Sequence, residues 1–124
     1  MSYRGFILLL AYGWASYAAV FMLWALLAPY GLAYGWSAQI ASYAVTVLAT
    51  YIATRLLPVK STIDAFVAGL TWAGVHLFLD LVYIVPTAGL LALGTPFVWI
   101  GYALVVLTPL VTVSTRRGLS SVSR

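Results

Sequence analysis

The chain contains no cysteine and no asparagine, and only one glutamine, Gln39, among its 124 residues. The absence of cysteine excludes disulfide bonds, cysteine-ligated metals, iron–sulfur clusters and thiol catalysis. A shortage of the thermolabile amides is typical of hyperthermophile proteins, so the sequence favours a thermophilic source. The single histidine, His76, lacks a second axial ligand for bis-histidine haem. We therefore expect no metal, no cofactor and no enzymatic activity.

Charge is also scarce, since 6% of the residues are charged and 65% are hydrophobic. Soluble domains usually carry about a quarter charged residues. The apolar residues fall into four blocks, each close to the roughly 20 residues that cross a hydrocarbon core of about 30 Å as a helix. The sequence thus predicts an all-α integral membrane four-helix bundle, a single transmembrane domain over residues 1–124. The predicted helices cover about 5–28, 37–57, 61–85 and 96–113.

The six basic residues are confined to alternate connecting segments. They lie before the first block, on either side of the turn between the second and third, and after the fourth, whereas residues 29–36 and 86–95 carry no charge. Basic segments remain in the cytoplasm in most membrane proteins. We therefore expect a multi-pass protein of the plasma or inner membrane with cytoplasmic N- and C-termini. In this setting a net charge of +4 reflects topology, and we expect the partner to be the lipid bilayer and no nucleic acid.

The two halves of the chain resemble each other at a shift of 58 or 59 positions. Trp14-Ala15 then falls on Trp72-Ala73, and Thr50 and Thr54 fall on Thr108 and Thr112. A duplicated hairpin running twice in the same direction predicts a pseudo-twofold axis along the membrane normal, as in parallel-repeat transporters. The alternative is a bundle of two similar hairpins without functional symmetry.

Small residues at helical spacing indicate where helices approach each other, because association in lipid depends on close backbone packing. One row lies in the first block and another in the third. We expect these rows to pack the first helix against the third at the bundle centre. The rows are Ala11, Ala15 and Ala19, and Ala65, Gly69 and Ala73.

Asp80 is the one acidic residue predicted to lie well inside an apolar helix. Placing a carboxylate there costs roughly 2.5–3.5 kcal/mol, so such a residue usually faces the bundle interior and has a partner. His76 precedes it by four residues and shares its helix face. The pair could share a proton and serve as a proton or substrate site. It could equally be a satisfied polar pair that fixes helix packing, with Tyr43, Tyr83 or Tyr102 donating hydrogen bonds.

Hydroxyl side chains recur at every fourth position of the second block and form a stripe nearly as long as the membrane is thick. They could line a proton or ion path beside His76 and Asp80, or they could bond the carbonyl four residues earlier, as membrane serine and threonine often do. Asp64 is different, since it lies in the first turn of the third helix behind a predicted Ser61 cap and needs no function. The stripe consists of Ser42, Thr46, Thr50 and Thr54.

The second half of the chain carries a set of residues that is similar to a known kind of protein. They are Gly69-Leu70-Thr71-Trp72, Asp80, Pro86, Trp99, Tyr102 and Pro109. On these residues the chain resembles uncharacterised small four-transmembrane-helix membrane proteins of prokaryotes. The resemblance implies a four-helix bundle and supplies no activity.

Two functions fit the sequence best, ahead of an enzyme acting on lipid or quinone, for which only one acid–base pair and no nucleophile is evident. The first is a non-catalytic accessory or assembly subunit, present as a homo-oligomer or within a larger membrane complex, which the tiny connecting segments and large apolar surface favour. The second is a small proton-coupled transporter or channel that uses Asp80 and His76. The direction in which Asp80 faces distinguishes them, because a cavity favours transport and a lipid-facing position favours a partner subunit.

Overall fold

Five α-helices and no β-strand form the part of the chain described by the computed structural model, residues 3–32 and 35–122. Short 3₁₀ segments lie at Ala28–Tyr30 and Leu90–Gly94. The predicted helical class is confirmed. The helices are α1 (Tyr3–Leu27), α2 (Trp36–Leu56), α3 (Thr62–Tyr83), α4 (Val85–Ala88) and α5 (Pro96–Val122).

The four long helices coincide with the four apolar blocks, while their ends differ in instructive ways. The Ser61 hydroxyl accepts a hydrogen bond from the Asp64 backbone N–H at 3.0 Å, so the predicted cap of α3 is confirmed. Pro96 begins α5, where its missing N–H costs no helical bond. Between α3 and α5, where no helix was predicted beyond residue 85, α4 is capped by Gly89 with a φ of 85° and a 3₁₀ segment follows.

Three stretches of helix are long and apolar enough to cross a membrane. They are Arg4–Tyr30, Thr62–Tyr83 and Pro96–Arg116. The helix α2 is not among them, because Gln39, Arg55 and its hydroxyl side chains together reduce its mean hydropathy. These three helices support association of the protein with a membrane. By length and hydropathy alone, α2 is not a candidate to cross it.

The polar face of α2 is turned inward and its apolar face outward. Ser42, Thr46, Thr50 and Thr54 are all buried, whereas large apolar side chains on the opposite face are exposed. A helix on a water-soluble protein has the opposite arrangement. The exposed side chains of α2 include Ile40, Val47, Leu48, Tyr51 and Ile52.

Each long helix packs against two others. The helix α1 contacts α2 and α3, and α5 contacts the same two, so α1 and α5 lie on one diagonal of the bundle and α2 and α3 on the other. A twofold axis along the bundle would place the equivalent helices α1 and α3 on a diagonal instead. The pattern of neighbours therefore does not support the predicted pseudo-twofold axis, and the two hairpins lie side by side.

The helices α1 and α3 are in contact, as the sequence predicts, but through other residues. Ala11 and Ala15 are exposed, so the alanine row of α1 does not form the interface. The buried positions are Leu9, Gly13 and Ser16, and a Cβ built on Gly13 would lie 3.0 Å from Trp72 Cδ1. The large Trp72 side chain of α3 therefore packs against Gly13 of α1, where no Cβ obstructs it.

Gly69 lies where α3 approaches the backbone of α5 most closely. A Cβ built at this position would lie 2.9 Å from both the Cα and the carbonyl oxygen of Val106. Backbone atoms in a helix cannot yield as a side chain can. The row Ala65, Gly69 and Ala73 therefore contributes its glycine to α5, and the prediction that it packs against α1 is wrong at this residue.

We predict that Gly69→Ala destabilises the bundle by about 1–3 kcal/mol, because overpacking a close contact has this cost. Gly74→Ala on the same helix is the matched control, since a Cβ there meets no atom within 4 Å. Unfolding of the purified variants in detergent, followed by circular dichroism, measures the difference. Equal stability of the two variants would contradict the close helix contact.

Candidate functional site

The bundle has two chemically different ends. Arg4, Arg55, Lys60 and Arg116 lie at one, here called the basic end, where the Arg116 guanidinium is 3.5 Å from the Val59 carbonyl oxygen. The other, called the uncharged end, contains the α1–α2 connection and the α4 segment. Arg124, which contributes to the predicted charge bias, lies outside the described residues.

A cavity of about 420 Å³ lies in the half of the bundle nearer the uncharged end. All four long helices line it, together with Ala92, Leu93 and Thr95 from the segment before α5. Its volume is within the usual range for a small-molecule site. Asp80 and His76 both line this cavity, so both predicted site residues face its interior.

Two tyrosine hydroxyls from different helices hold the Asp80 carboxylate. Tyr17 on α1 donates to Oδ1 at 2.9 Å, and Tyr102 on α5 donates to Oδ2. Each carboxylate oxygen thus has one donor from a neighbouring helix, and both donors are neutral phenols. Asp80 consequently joins three helices, and among the described residues no basic side chain pairs with its carboxylate.

His76 is buried and has a different partner. Its Nε2 lies 2.9 Å from the Ser16 Oγ, and the Ser16 hydroxyl donates to the Gly13 carbonyl at 2.8 Å. Because the single hydroxyl hydrogen of Ser16 is directed at Gly13, we assign the proton of His76 to Nε2, which donates to Ser16. In that tautomer Nδ1 is an acceptor.

The expected direct pair between His76 and Asp80 is not formed. Among the described residues no hydrogen bond joins the two side chains, and Tyr17 links them instead. The Tyr17 ring meets the His76 ring edge to face at a centroid distance of 5.4 Å, while its hydroxyl bonds Asp80. The spacing of four residues brings His76 and Asp80 to one face of α3, but their hydrogen-bond partners come from other helices.

Of the tyrosines predicted as donors, only Tyr102 bonds Asp80. The Tyr43 hydroxyl donates to the Phe97 carbonyl at 3.0 Å. Tyr17 was missed by the sequence reasoning. The small residues Gly13 and Ser16 were the signal in the sequence, since Tyr17 follows Gly13 by four positions and shares its helix face.

The hydroxyl stripe of α2 is satisfied within its own helix. Each hydroxyl donates to the carbonyl four residues earlier, as the alternative interpretation held, with distances of 2.8 Å for Ser42 and Thr46 and 2.7 Å for Thr54. Ser42 and Thr46 line the cavity, whereas Thr50 and Thr54 are completely buried beyond it. The stripe therefore does not form one open path, and its role in conduction stays a prediction.

Trp72 closes the bundle between the cavity and the basic end. Its side chain is 1% exposed and its Nε1 donates to the Leu9 carbonyl at 2.8 Å. It belongs to a tightly packed core that extends to Val59 and Val113. The bundle thus combines a packed half at its basic end with a hollow half at its uncharged end.

The remaining cavity wall is largely aromatic. The Phe97 ring contacts the Trp24 ring at 6.1 Å and the Tyr43 ring at 5.2 Å between centroids. Phe21 completes this wall. Because the rings pack on one another and come from three helices, the wall is fixed before any ligand arrives.

Comparison with protein-family models, with curated proteins and with solved structures finds no match to this chain. The likeness to small four-helix membrane proteins stays a prediction.

We predict that Tyr17→Phe and Tyr102→Phe each lower the free energy of unfolding by about 1–3 kcal/mol, since each removes a hydrogen bond to a carboxylate. Tyr83→Phe is the control, because Tyr83 is half exposed at the same end of the bundle and its hydroxyl has no hydrogen bond among the described residues. Reversible unfolding in mixed micelles measures all three. A loss for Tyr83→Phe as large as for the other two would show that the hydrogen bonds are not responsible.

Proposed function

We propose that this chain is a plasma-membrane carrier that crosses the membrane four times and binds a small solute in its cavity, with Asp80 as proton acceptor. The observation that carries the proposal is the Asp80 carboxylate in a cavity lined by all four long helices. The alternative, in which Asp80 meets a partner subunit at the lipid-facing surface, is less compatible with that position.

The energetic argument concerns the missing counter-charge. No lysine or arginine occurs in residues 5–54 or 61–115, so no basic side chain of these stretches can neutralise Asp80. A charged group at such a depth is costly, and hydroxyl donors reduce the cost only in part. A proton or a cationic solute arriving from outside the chain would remove it. Exchange of one for the other is the elementary step of a proton-coupled carrier.

The four crossings are supported by the inverted polarity of α2. With its hydroxyls bonded inside the bundle, the surface of α2 is apolar enough to face lipid despite its lower mean hydropathy. With four crossings, the tendency of basic segments to remain in the cytoplasm favours a cytoplasmic basic end and an outward-facing uncharged end. The cavity belongs to the outer half, and Trp72 separates it from the cytoplasm.

The roles within the site follow from the contacts. Asp80 takes the proton or the positive charge, and Tyr17 and Tyr102 stabilise its ionised form by donating hydrogen bonds. His76 positions the Tyr17 ring through its edge-to-face contact, and Ser16 fixes the orientation of the imidazole.

A second candidate is the accessory or assembly subunit. Large exposed apolar side chains cover all four long helices, which suits burial against lipid or against other subunits. In that case Asp80 and its tyrosines serve only to fix helix packing.

We predict that cysteines placed at Ser37 and Leu91 react with a membrane-impermeant thiol reagent added to intact cells, whereas a cysteine at Pro58 reacts only after permeabilisation. The wild type has no cysteine, so each variant carries a single reporter. All three positions are exposed. Labelling of Ser37→Cys and Pro58→Cys from the same side would show that α2 does not cross.

We also predict that infrared difference spectroscopy detects a carboxyl band that changes with pH in wild type and is lost in Asp80→Asn but not in Asp64→Asn. The asparagine amide oxygen can accept from one tyrosine hydroxyl, and its NH₂ group can donate to the other. We therefore expect this variant to fold. The accessory subunit would be favoured by two results together. Asp80 would keep one protonation state over the whole pH range in which the protein is folded, and Asp80→Asn would lose much of its stability.

A further inference from the structure

The cavity pairs one carboxylate with an aromatic wall, and this combination points to a particular solute. We propose that it binds an organic ammonium ion with a compact apolar body, the positive nitrogen beside Asp80 and the body against Phe21, Trp24 and Phe97. This inference rests on the proposed carrier function and specifies the class of its solute.

Charge selects a cation. Of the described residues that line the cavity, Asp80 is the one acidic side chain, and none is lysine or arginine. An anionic solute would meet the carboxylate without any compensating positive group. A neutral solute would leave the ionised carboxylate uncompensated in an apolar environment, which is the costly state that binding should relieve.

The wall selects an organic ion over an inorganic one. Calcium and magnesium take six or more oxygen ligands, whereas Asp80 supplies one carboxylate, and no group of three or more acidic, cysteine or histidine side chains among the described residues could hold a metal. Aromatic faces, by contrast, attract ammonium groups through their π electrons and bury apolar bodies at the same time.

The aromatic rings of the cavity wall are available to contact an ammonium group. Within the described residues the recorded contact of a cation with an aromatic face is that of Arg55 with Tyr51, at the basic end and outside the cavity. The Phe97 ring contacts both Trp24 and Tyr43, and none of these three rings meets a cation of the described residues. Their mutual packing holds them in place, so little ordering cost accompanies binding.

The size of the cavity is consistent with one small organic cation. A volume of about 420 Å³ lies in the lower part of the range for ligand sites. We therefore choose benzyltrimethylammonium as the probe, with benzyl alcohol and benzenesulfonate as neutral and anionic compounds that carry the same aromatic ring.

The experiment measures binding of the three compounds by equilibrium dialysis against the full chain in nanodiscs of phosphatidylcholine, a lipid without net charge. We expect saturable binding of benzyltrimethylammonium at least tenfold tighter than of benzyl alcohol, and no saturable binding of benzenesulfonate. Asp80→Asn should weaken binding of the cation at least tenfold, whereas Asp64→Asn should leave it unchanged.

Aromatic substitutions test the wall separately. Trp24→Leu should weaken binding of the cation about threefold to thirtyfold, the range expected for loss of one cation–π contact. Trp36→Leu is the matched control, because Trp36 is exposed at the same end of the bundle and does not line the cavity. Equal losses in the two variants would contradict a role for the cavity wall.

The outcomes also separate this inference from the carrier proposal. Binding of benzyl alcohol as tight as that of the cation, or cation binding that survives Asp80→Asn in a folded protein, would overturn the choice of an organic ammonium. If the Asp80 carboxyl still titrates in that case, the carrier proposal stands with another solute. If Asp80 neither titrates nor binds the cation, both fail.

Discussion

Hydrogen bonds that are completed inside the bundle are the constraint on which the rest of the structure depends. In a hydrocarbon solvent an unsatisfied polar group costs several kcal/mol, so each must find its partner within the chain. Among the described residues no buried side-chain nitrogen or oxygen lacks a hydrogen-bond partner. The hydroxyls of α2 bond their own helix, whereas Trp72, Ser16 and Asp80 use partners from other helices.

These cross-helix bonds divide the bundle into two halves. In the half at the basic end, Trp72 bonds α1 while Gly69 lets α3 approach the backbone of α5, so the helices pack tightly. In the other half, Tyr17 and Tyr102 reach Asp80 from opposite corners of the bundle, and aromatic side chains line the space between the helices. The cavity is the space that these aromatic side chains leave between the helices.

Much of the fold followed from composition and periodicity, because apolar length, Ser61 and Pro96 each leave a local signature. The cap of α3 and the start of α5 were predicted correctly for that reason. The contacts between helices were harder, since close packing depends on the matching of a large and a small residue on different helices. The pairing of Gly13 with Trp72 and of Gly69 with Val106 could not be read from rows of alanine.

The site was predictable in part for a similar reason. A single carboxylate in an apolar helix is conspicuous in a sequence, so Asp80 was predicted to face the bundle interior. His76 was placed on the same face of the helix, and both residues line the cavity. Their actual partners come from α1 and α5, and no spacing along α3 carries that information. The aromatic wall was also missed, because aromatic residues are common throughout the chain and only the fold assembles Trp24, Tyr43 and Phe97.

The inverted polarity of α2 is the central claim, and its exposure to lipid tests it most directly. Single spin labels placed along α2 in nanodiscs report collision rates with oxygen, which is concentrated in the hydrocarbon. The account predicts high oxygen accessibility at Leu48 and Ile52 and low accessibility at Thr46 and Thr50, with a helical period between them. High accessibility at the threonine positions and low accessibility at Leu48 and Ile52 would contradict it.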